Sequence, residues 1–345
     1  MRCSNSGLGR LAGFMSLVPA KVTAVYGESV FTLLTNRVRE RNPLNVPGRI
    51  MSLRLEMLQV ARLAPSVLGE EASGLIRDFV MSQAHVDGGF CDRDGDADLY
   101  YTSFAIDALT ALQVPLPEEG LTNFLRRKLG EIEKLDFVHL CCLARCASAL
   151  SDRQAVGDLS PAFEAIEKYR TEDGGYNQAE GMETGSAYAC FLAYGAYADH
   201  GKSVPNVPGV AACLESLKVD GGAWANDVNL PVPNIPSTAA AITICRNLKI
   251  AIPLETPEWI LESFHSGGGF LPFPMAPMPD LLSTAVALHA LDGLQVSFEE
   301  KKERMLDFVD SLWTAAGGFH GSWEDDDLDI EYTYYGLLAL GHLAL

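Results

Sequence analysis

Apolar and polar positions alternate along this chain at two scales. Residues 100–113, 138–150, 185–198, 237–247, 283–294 and 332–345 form segments in which small and apolar side chains run nearly all the way round. Between them lie 119–132, 160–170, 206–217, 256–264 and 299–313, which carry charged stripes such as Glu299-Glu300-Lys301-Lys302-Glu303-Arg304. A helix that is apolar all round is buried, and one with a charged stripe faces water. Two helical segments come earlier. In 49–64, Ile50, Leu53, Leu55, Leu58, Val60 and Leu63 fall at helical spacing, and Pro65 is expected to close that helix before a second runs from Val67 to Gln83. Buried and exposed helices in strict alternation, about six of each, predict an all-α fold. An inner barrel is wrapped by an outer one, an α/α toroid.

A repeated motif punctuates that alternation. Asp87-Gly88-Gly89-Phe90 leads to Asp98, Tyr100, Tyr101 and Thr102. Asp173-Gly174-Gly175-Tyr176 leads to Ser186 and Tyr188, and Asp220-Gly221-Gly222-Ala223-Trp224 to Ser237-Thr238. Gly268-Gly269-Phe270 leads to Ser283-Thr284, and Gly317-Gly318-Phe319 to Tyr332-Thr333. The first glycines are separated by 86, 47, 47 and 49 residues, so a worn copy is expected inside the long first step. Leu140-Cys141-Cys142-Leu143-Ala144-Arg145-Cys146 fills it, aligned with Thr102 onward and lacking its glycine turn. A period near 47 residues means stacked helical units that cannot bury their apolar faces alone. The chain therefore divides into an N-terminal extension, 1–47, and a single toroid, 48–345, of five to six repeats. The glycine turns should all lie at one rim, with residues of the Thr columns gathered at one mouth.

Charge and cysteine content narrow the partners. The net charge of −19 excludes a phosphate-binding basic face and hence a nucleic-acid partner. The imbalance is uneven, because residues 1–62 hold nine Lys or Arg against three Asp or Glu. Of eight cysteines, six (Cys141, Cys142, Cys146, Cys190, Cys213 and Cys245) lie in apolar helical runs, which fits buried free thiols in a reducing, cytoplasmic setting better than a disulfide framework. Residues 10–20 have only the length of a signal-peptide core, and no apolar run reaches a transmembrane length.

The segment Gly88-Gly89-Phe90-Cys91-Asp92-Arg93-Asp94-Gly95-Asp96, with Asp98 and Thr102, resembles the repeat of protein prenyltransferase β subunits, nearest to the type that geranylgeranylates Rab proteins. Phe79-Val80-Met81-Ser82-Gln83 before Asp87-Gly88-Gly89-Phe90 also resembles the QW motif of squalene and other class II terpene cyclases. The resemblance covers roughly residues 50–345 and implies an α6/α6 barrel whose apolar cavity holds an isoprenoid. The family's zinc ligands are an Asp and a Cys in Asp-x-Cys, and a His before the last Thr. Asp280 matches the Asp, Leu282 replaces the Cys and Tyr332 replaces the His, so zinc is not expected. The family's diphosphate-gripping cations precede the Asp-x-Cys motif. Here residues 271–278 read Leu-Pro-Phe-Pro-Met-Ala-Pro-Met, without a cation.

Three functions follow as expectations. The first is a prenyltransferase-like protein that binds an isoprenoid but has diverged from zinc-dependent transfer. The second is an acid-initiated terpene cyclase: Asp329-Ile330-Glu331-Tyr332-Thr333 half retains the cyclase acid motif, with Glu331 where the proton donor falls. The plainer account of Glu331 and of Asp325-Asp326-Asp327 is solvated rim acids favouring a helix N-terminus. The third is a scaffold for a peptide or a helical partner, as β subunits hold their α subunit. The expected site comprises Glu331, Tyr332, Asp329 and Asp280 as candidate catalytic residues. Tyr100, Tyr101, Phe104, Tyr188, Trp224, Phe270, Tyr334 and Tyr335 are the expected ligand-binding wall. Asp92, Asp94, Asp96 and Asp98 alternate like a calcium loop but lack its distal bidentate Glu, so turn structure is the better expectation than calcium. His139, Cys142 and Cys146 are spaced by helical turns, which on a small-residue helix reads as packing.

Overall fold

The computed structural model describes residues 52–345. The expected extension, 1–47, lies outside the described residues. Six apolar helices form an inner ring: α3 (Leu99–Ala111), α5 (Phe137–Ala149), α7 (Ala187–Asp199), α9 (Ile235–Leu248), α11 (Leu281–Gly293) and α13 (Ile330–Leu343). Six outer helices precede them: α2 (Ala64–Ser82), α4 (Glu118–Gly130), α6 (Ser160–Glu167), α8 (Val207–Ser216), α10 (Thr256–Glu262) and α12 (Lys302–Leu312). Each inner helix packs on the next, and α13 returns to pack on α3, so the ring closes. The worn copy is α5, whose cap Asp136 stands where Asp98 stands for α3 and places Leu140 in the column of Thr102.

The repeated motif is one hydrogen-bonded knot. The aromatic after the glycines is buried: Phe90, Tyr176, Trp224, Phe270 and Phe319 are all 1% exposed or less. Its backbone bridges backward to the end of the outer helix, as in Phe264 with Phe270, and forward to the cap of the inner helix, as in Phe270 with Asp280. Its amide donates to the Thr hydroxyl of the inner helix, Phe90 to Thr102 and Phe270 to Thr284 at 2.9 Å, and Trp224 to Thr238 at 3.0 Å. The inner helix begins one turn before that Thr with a capping side chain: Asp98, Asp136, Ser186, Asn234, Asp280 and Asp329 each accept an amide three residues on. Ser186 therefore occupies the cap column rather than the Thr column, which in that repeat holds Cys190. Short β ribbons form where these bridges lengthen, Phe90–Cys91 with Ala97–Asp98, and Lys218–Val219, Ala223–Asp227 and Leu230–Pro233 as a three-stranded sheet.

The first glycine of each pair has positive φ, between 86° and 92°. It lies several residues beyond the outer helix, not at its C-terminal cap, and it lets two backbones meet. A Cβ on Gly88 would lie 2.1 Å from the Gly120 carbonyl oxygen of α4, and one on Gly317 would lie 2.1 Å from the Leu75 carbonyl oxygen of α2. Each turn thus rests on the outer helix of the following repeat, and Gly317 joins the last repeat to the first.

Helix α1 (Leu53–Ala61) differs from the sequence expectation in place and in length. Pro65 does not close it. That residue instead sits in the first turn of α2, where its missing N–H costs nothing, and α2 is itself broken at Gly69, φ 76°. Helix α1 packs on α3, α7 and α13 at the C-terminal ends of the inner helices, opposite the rim of glycine turns. Arg54 bonds Asp107 at 2.5 Å, Arg246 bonds Glu56 at 2.6 Å and Ser52 bonds Asp199 at 2.5 Å. The barrel therefore has a floor.

The glycine contacts give a stability test by urea unfolding. Gly317→Ala combines a left-handed backbone with a backbone clash, and its expected cost exceeds ~2 kcal/mol. Gly95→Ala, at φ 91° with open space around the new Cβ, should cost about 1 kcal/mol. Equal losses at the two positions would mean that the closing contact carries no weight.

Candidate functional site

Inside the ring lies a cavity of about 280 Å³, lined by α3, α5, α7, α11 and α13 and floored by α1. Five of the aromatics expected to line it do so: Tyr100 and Phe104 from α3, Tyr188 from α7, and Tyr334 and Tyr335 from α13. Tyr100 and Phe104 meet edge to face, with centroids 4.9 Å apart, and Phe104 lies 5.5 Å from Tyr335. Leu282, Phe191, Leu192 and the thiols of Cys141 and Cys142 complete the apolar wall, and Leu53 and Met57 reach it from the floor. The expectation fails for three aromatics. Trp224 and Phe270 are the buried aromatics of the repeat knot, with Trp224 Nε1 donating to the Leu214 carbonyl at 2.9 Å and Phe270 packed on Phe264. Both belong behind the inner helices, between them and the outer layer. Tyr101 is turned to the rim beside Arg93 and Asp329, and burial lifts its phenol to about 12.

At the mouth, most of the acids are already engaged. Asp98 caps α3 and accepts from His139 Nε2 at 2.7 Å, while His139 Nδ1 lies 2.7 Å from Asp136. The Asp98 bond lifts the imidazole to about 8 against its burial. Burial works to raise Asp98, but His139 and the Tyr101 amide outweigh it and hold it below the ordinary range. Asp329 caps α13 and accepts from Arg93 Nε at 2.8 Å, and Arg93 also reaches Asp325 at 3.3 Å and Asp327 at 3.5 Å. Arg93 lies 5.9 Å from the centre of the Tyr332 ring. Asp280 caps α11 through the Ser283 amide at 2.6 Å, and burial raises its carboxyl against that bond. In the Asp92–Asp98 loop, Asp92 Oδ1 accepts the amides of Asp94 and Asp96 at 2.9 and 3.0 Å, a local turn built on one carboxylate. His139 thus lies with Asp98 and Asp136, Cys142 at the cavity wall, and Cys146 in the core.

Glu331 stands apart from these acids. It lies in the first turn of α13, and its Oε1 accepts from the Tyr100 hydroxyl of α3 at 2.6 Å. Burial lifts its carboxyl to about 7, the charge of Asp329 adds to this, and the Tyr100 bond and Arg93 oppose it. Burial also raises the Tyr100 phenol far above its ordinary value, so that hydroxyl stays protonated and available as a donor. A carboxyl that holds its proton near neutral pH, behind a tyrosine on the cavity wall, can serve as a general acid.

A polar group that sequence reasoning missed lies at the other end. Asp107 is fully buried between Arg54 and Arg145, which both bond it, and Asp199 is buried beside them. Arg54, Arg145 and Asp199 all line the cavity. A signal for them was present, because Asp107, Arg145 and Asp199 are charges on helices otherwise apolar all round.

With this geometry established, comparison with known proteins identifies the class. Residues 63–203 and 238–344 match the model of the prenyltransferase alpha-alpha toroid domain, and the chain belongs to that family. No curated protein matches it. Among solved structures it is similar to the type II terpene cyclase MstE from Scytonema in complex with geranylgeranyl dihydroxybenzoate, at 11% identity and a TM-score of 0.54, covering 83% of this chain and 97% of that one. It is also similar to an inactive variant of an α-1,6-mannanase from Salegentibacter in complex with α-1,6-mannotriose, at 12% identity and a TM-score of 0.56, covering 79% and 98%. A third likeness is to a protein from Actinoplanes, at 15% identity and a TM-score of 0.52, covering 80% and 100%. At these identities the likenesses establish the toroid and nothing finer. Among the described residues no helix is long and apolar enough to cross a membrane.

The raised acid sets a pH dependence. A carboxyl whose folded pKa lies above its unfolded one favours the folded state below about 4.5, and that advantage fades as pH rises through about 7. Carbon-13 NMR of labelled glutamate should show one resonance titrating near 7 that is absent in Glu331→Gln. If every glutamate titrates between about 4 and 5, Glu331 is an ordinary rim acid.

Proposed function

We propose that this protein binds a neutral isoprenoid-type molecule in its central cavity, as a prenyltransferase-like toroid diverged from zinc-dependent protein prenylation. The observation that carries the reading is the pairing of an aromatic-walled apolar cavity with the half-buried Tyr100–Glu331 contact at its mouth. The repeat's likeness to Rab-type β subunits supports the prenyl part. The diphosphate part lacks support: the 271–278 loop has no cation, Arg93 is held by three aspartates, and fixed negative charge at the rim repels an anionic head group. At the zinc column Asp280 serves as a helix cap, Leu282 as cavity wall, and Tyr332 lies beside Arg93.

The same contact favours a second reading, acid-initiated cyclisation. Glu331 would deliver its proton to an alkene, directly or through the Tyr100 hydroxyl. The π electrons form the new C–H bond, and the cation left on the neighbouring carbon is attacked by the next alkene. Loss of a proton to a base or water ends the sequence with no net oxidation, and Glu331 is reprotonated. Rings of Phe104, Tyr188 and Tyr335 flank the path of the cation, which suits their negative faces.

Fluorescent farnesol and farnesyl diphosphate separate these alternatives. The alcohol is expected to bind at least as tightly as the diphosphate, with Tyr332→Ala altering the affinity at the mouth. In deuterium oxide, any cyclised product should carry deuterium, and Glu331→Gln should lower its yield by at least 100-fold, about the contribution of one general acid. Much tighter binding of the diphosphate without metal, or no binding of either, overturns the reading and leaves a protein-binding scaffold as the better account.

A further inference from the structure

The floor of the cavity is charged where an all-hydrocarbon ligand would call for an apolar one. Arg145 lines the cavity and keeps a fifth of its side-chain surface accessible, although the barrel encloses it. Arg54, also at the cavity, is 6% exposed. Their shared partner Asp107 gives one oxygen to each guanidinium, and Asp199 accepts the Ser52 hydroxyl at 2.5 Å. Two arginines and two aspartates balance, so the floor carries little net charge. It does not carry a full set of hydrogen bonds. Arg145 Nε and the Tyr334 hydroxyl, both buried, have no hydrogen-bond partner among the described residues. Guanidinium and phenol are donors, and a buried donor without an acceptor is costly.

We propose that this floor binds a neutral oxygen function, a hydroxyl or carbonyl, at one end of the ligand, so that the hydrocarbon end points to Tyr100 and Glu331. The proposal rests on the isoprenoid reading above and fixes the ligand's class and direction. A diphosphate would bring at least two charges to a site already balanced, whereas a neutral oxygen accepts from Arg145 without disturbing Asp107. The spacing fits. Tyr100 and Glu331 lie two residues past their helix caps and Asp107 and Arg145 nine past theirs, a separation of about 10 Å along a helix axis. A short chain spans that distance, with its oxygen on the floor and its far alkene at the acid. The cavity volume, about 280 Å³, lies just below the range of ligand pockets, roughly 300–1,000 Å³, which limits it to a short ligand.

The test is competition against fluorescent farnesol by farnesol, its hydrocarbon counterpart farnesene, decanol and decane. On the full chain, farnesol is expected to bind about tenfold or more tighter than farnesene. In Arg145→Met that ratio should fall towards one through weaker alcohol binding. Arg145→Lys keeps a counter-charge for Asp107 and so guards against loss of the fold; it should lose most of the ratio because it lacks the guanidinium fork. Equal binding of farnesol and farnesene, or a ratio that survives both folded variants, overturns the proposal. If no isoprenoid binds, the isoprenoid reading fails by itself, and the floor is then decided by the decanol-to-decane affinity ratio measured directly by calorimetry on the full chain and on both variants, a ratio near one overturning it. Direction is read with a photoreactive group at the hydrocarbon end of farnesol. Crosslinks within 98–101 or 331–332 support it, and crosslinks to 53–57, Arg145 or Tyr334 overturn it.

Discussion

The inner helices are apolar on nearly every face, and no single repeat can bury such a helix. Only a closed ring covers both flanks of all six, which makes the junction of α13 with α3 the constraint on which the rest depends. The rim shows how closure is built. The Tyr188 amide of α7 donates to Asn226 in the next loop, Ile235 of α9 to the Pro272 carbonyl, and Leu281 of α11 to the Gly321 carbonyl. These three inner helices are thus clasped at their starts by the loop of the repeat that follows. For α13 the following repeat is the first, and there the clasp is Arg93 on Asp329. Gly317 against Leu75 makes the same closure in the outer layer.

The candidate site lies on this seam. Tyr100 comes from the first inner helix and Glu331 from the last, so their contact exists only when the ring is closed. Its surroundings explain why one acid differs from the others at the same rim. Asp98, Asp280 and Asp329 each accept an amide at a helix N-terminus; His139 also bonds Asp98 and helps hold it below the ordinary range, Arg93 bonds Asp329, and at Asp280 the cap bond opposes burial without outweighing it. Glu331 points past the cap toward the cavity wall, where a tyrosine hydroxyl is its partner. Desolvation therefore dominates.

The fold does not choose the chemistry. A terpene cyclase and a mannanase are both structural neighbours at similar scores, so function has to be argued from the site. The features that bear on it here are the aromatic wall, the protonatable acid near one end and the arginine-aspartate group at the other. They describe a cavity with two chemically different ends. A helix laid across the bottom of the barrel creates the second.

The alternation of apolar and striped helices, the glycine period and the worn copy over Leu140–Cys146 determined the toroid from sequence alone, because burying an all-round apolar helix admits few architectures. The clustering of Tyr100, Phe104, Tyr188, Tyr334 and Tyr335 was legible too, since equal positions in equal repeats converge when a ring closes. Trp224 and Phe270 were misread. An aromatic beside a glycine turn looks the same in sequence whether it enters the cavity or, as here, fills the space between the layers, and the bridge to the helix cap that decides between them is a tertiary contact. The floor was illegible for a related reason. Asp107 and Arg145 are visible charges on apolar helices, but their partner Arg54 lies on a helix more than 50 residues away from Asp107 in sequence. Only the packing of α1 against the C-terminal ends of the ring turned those charges into one buried group.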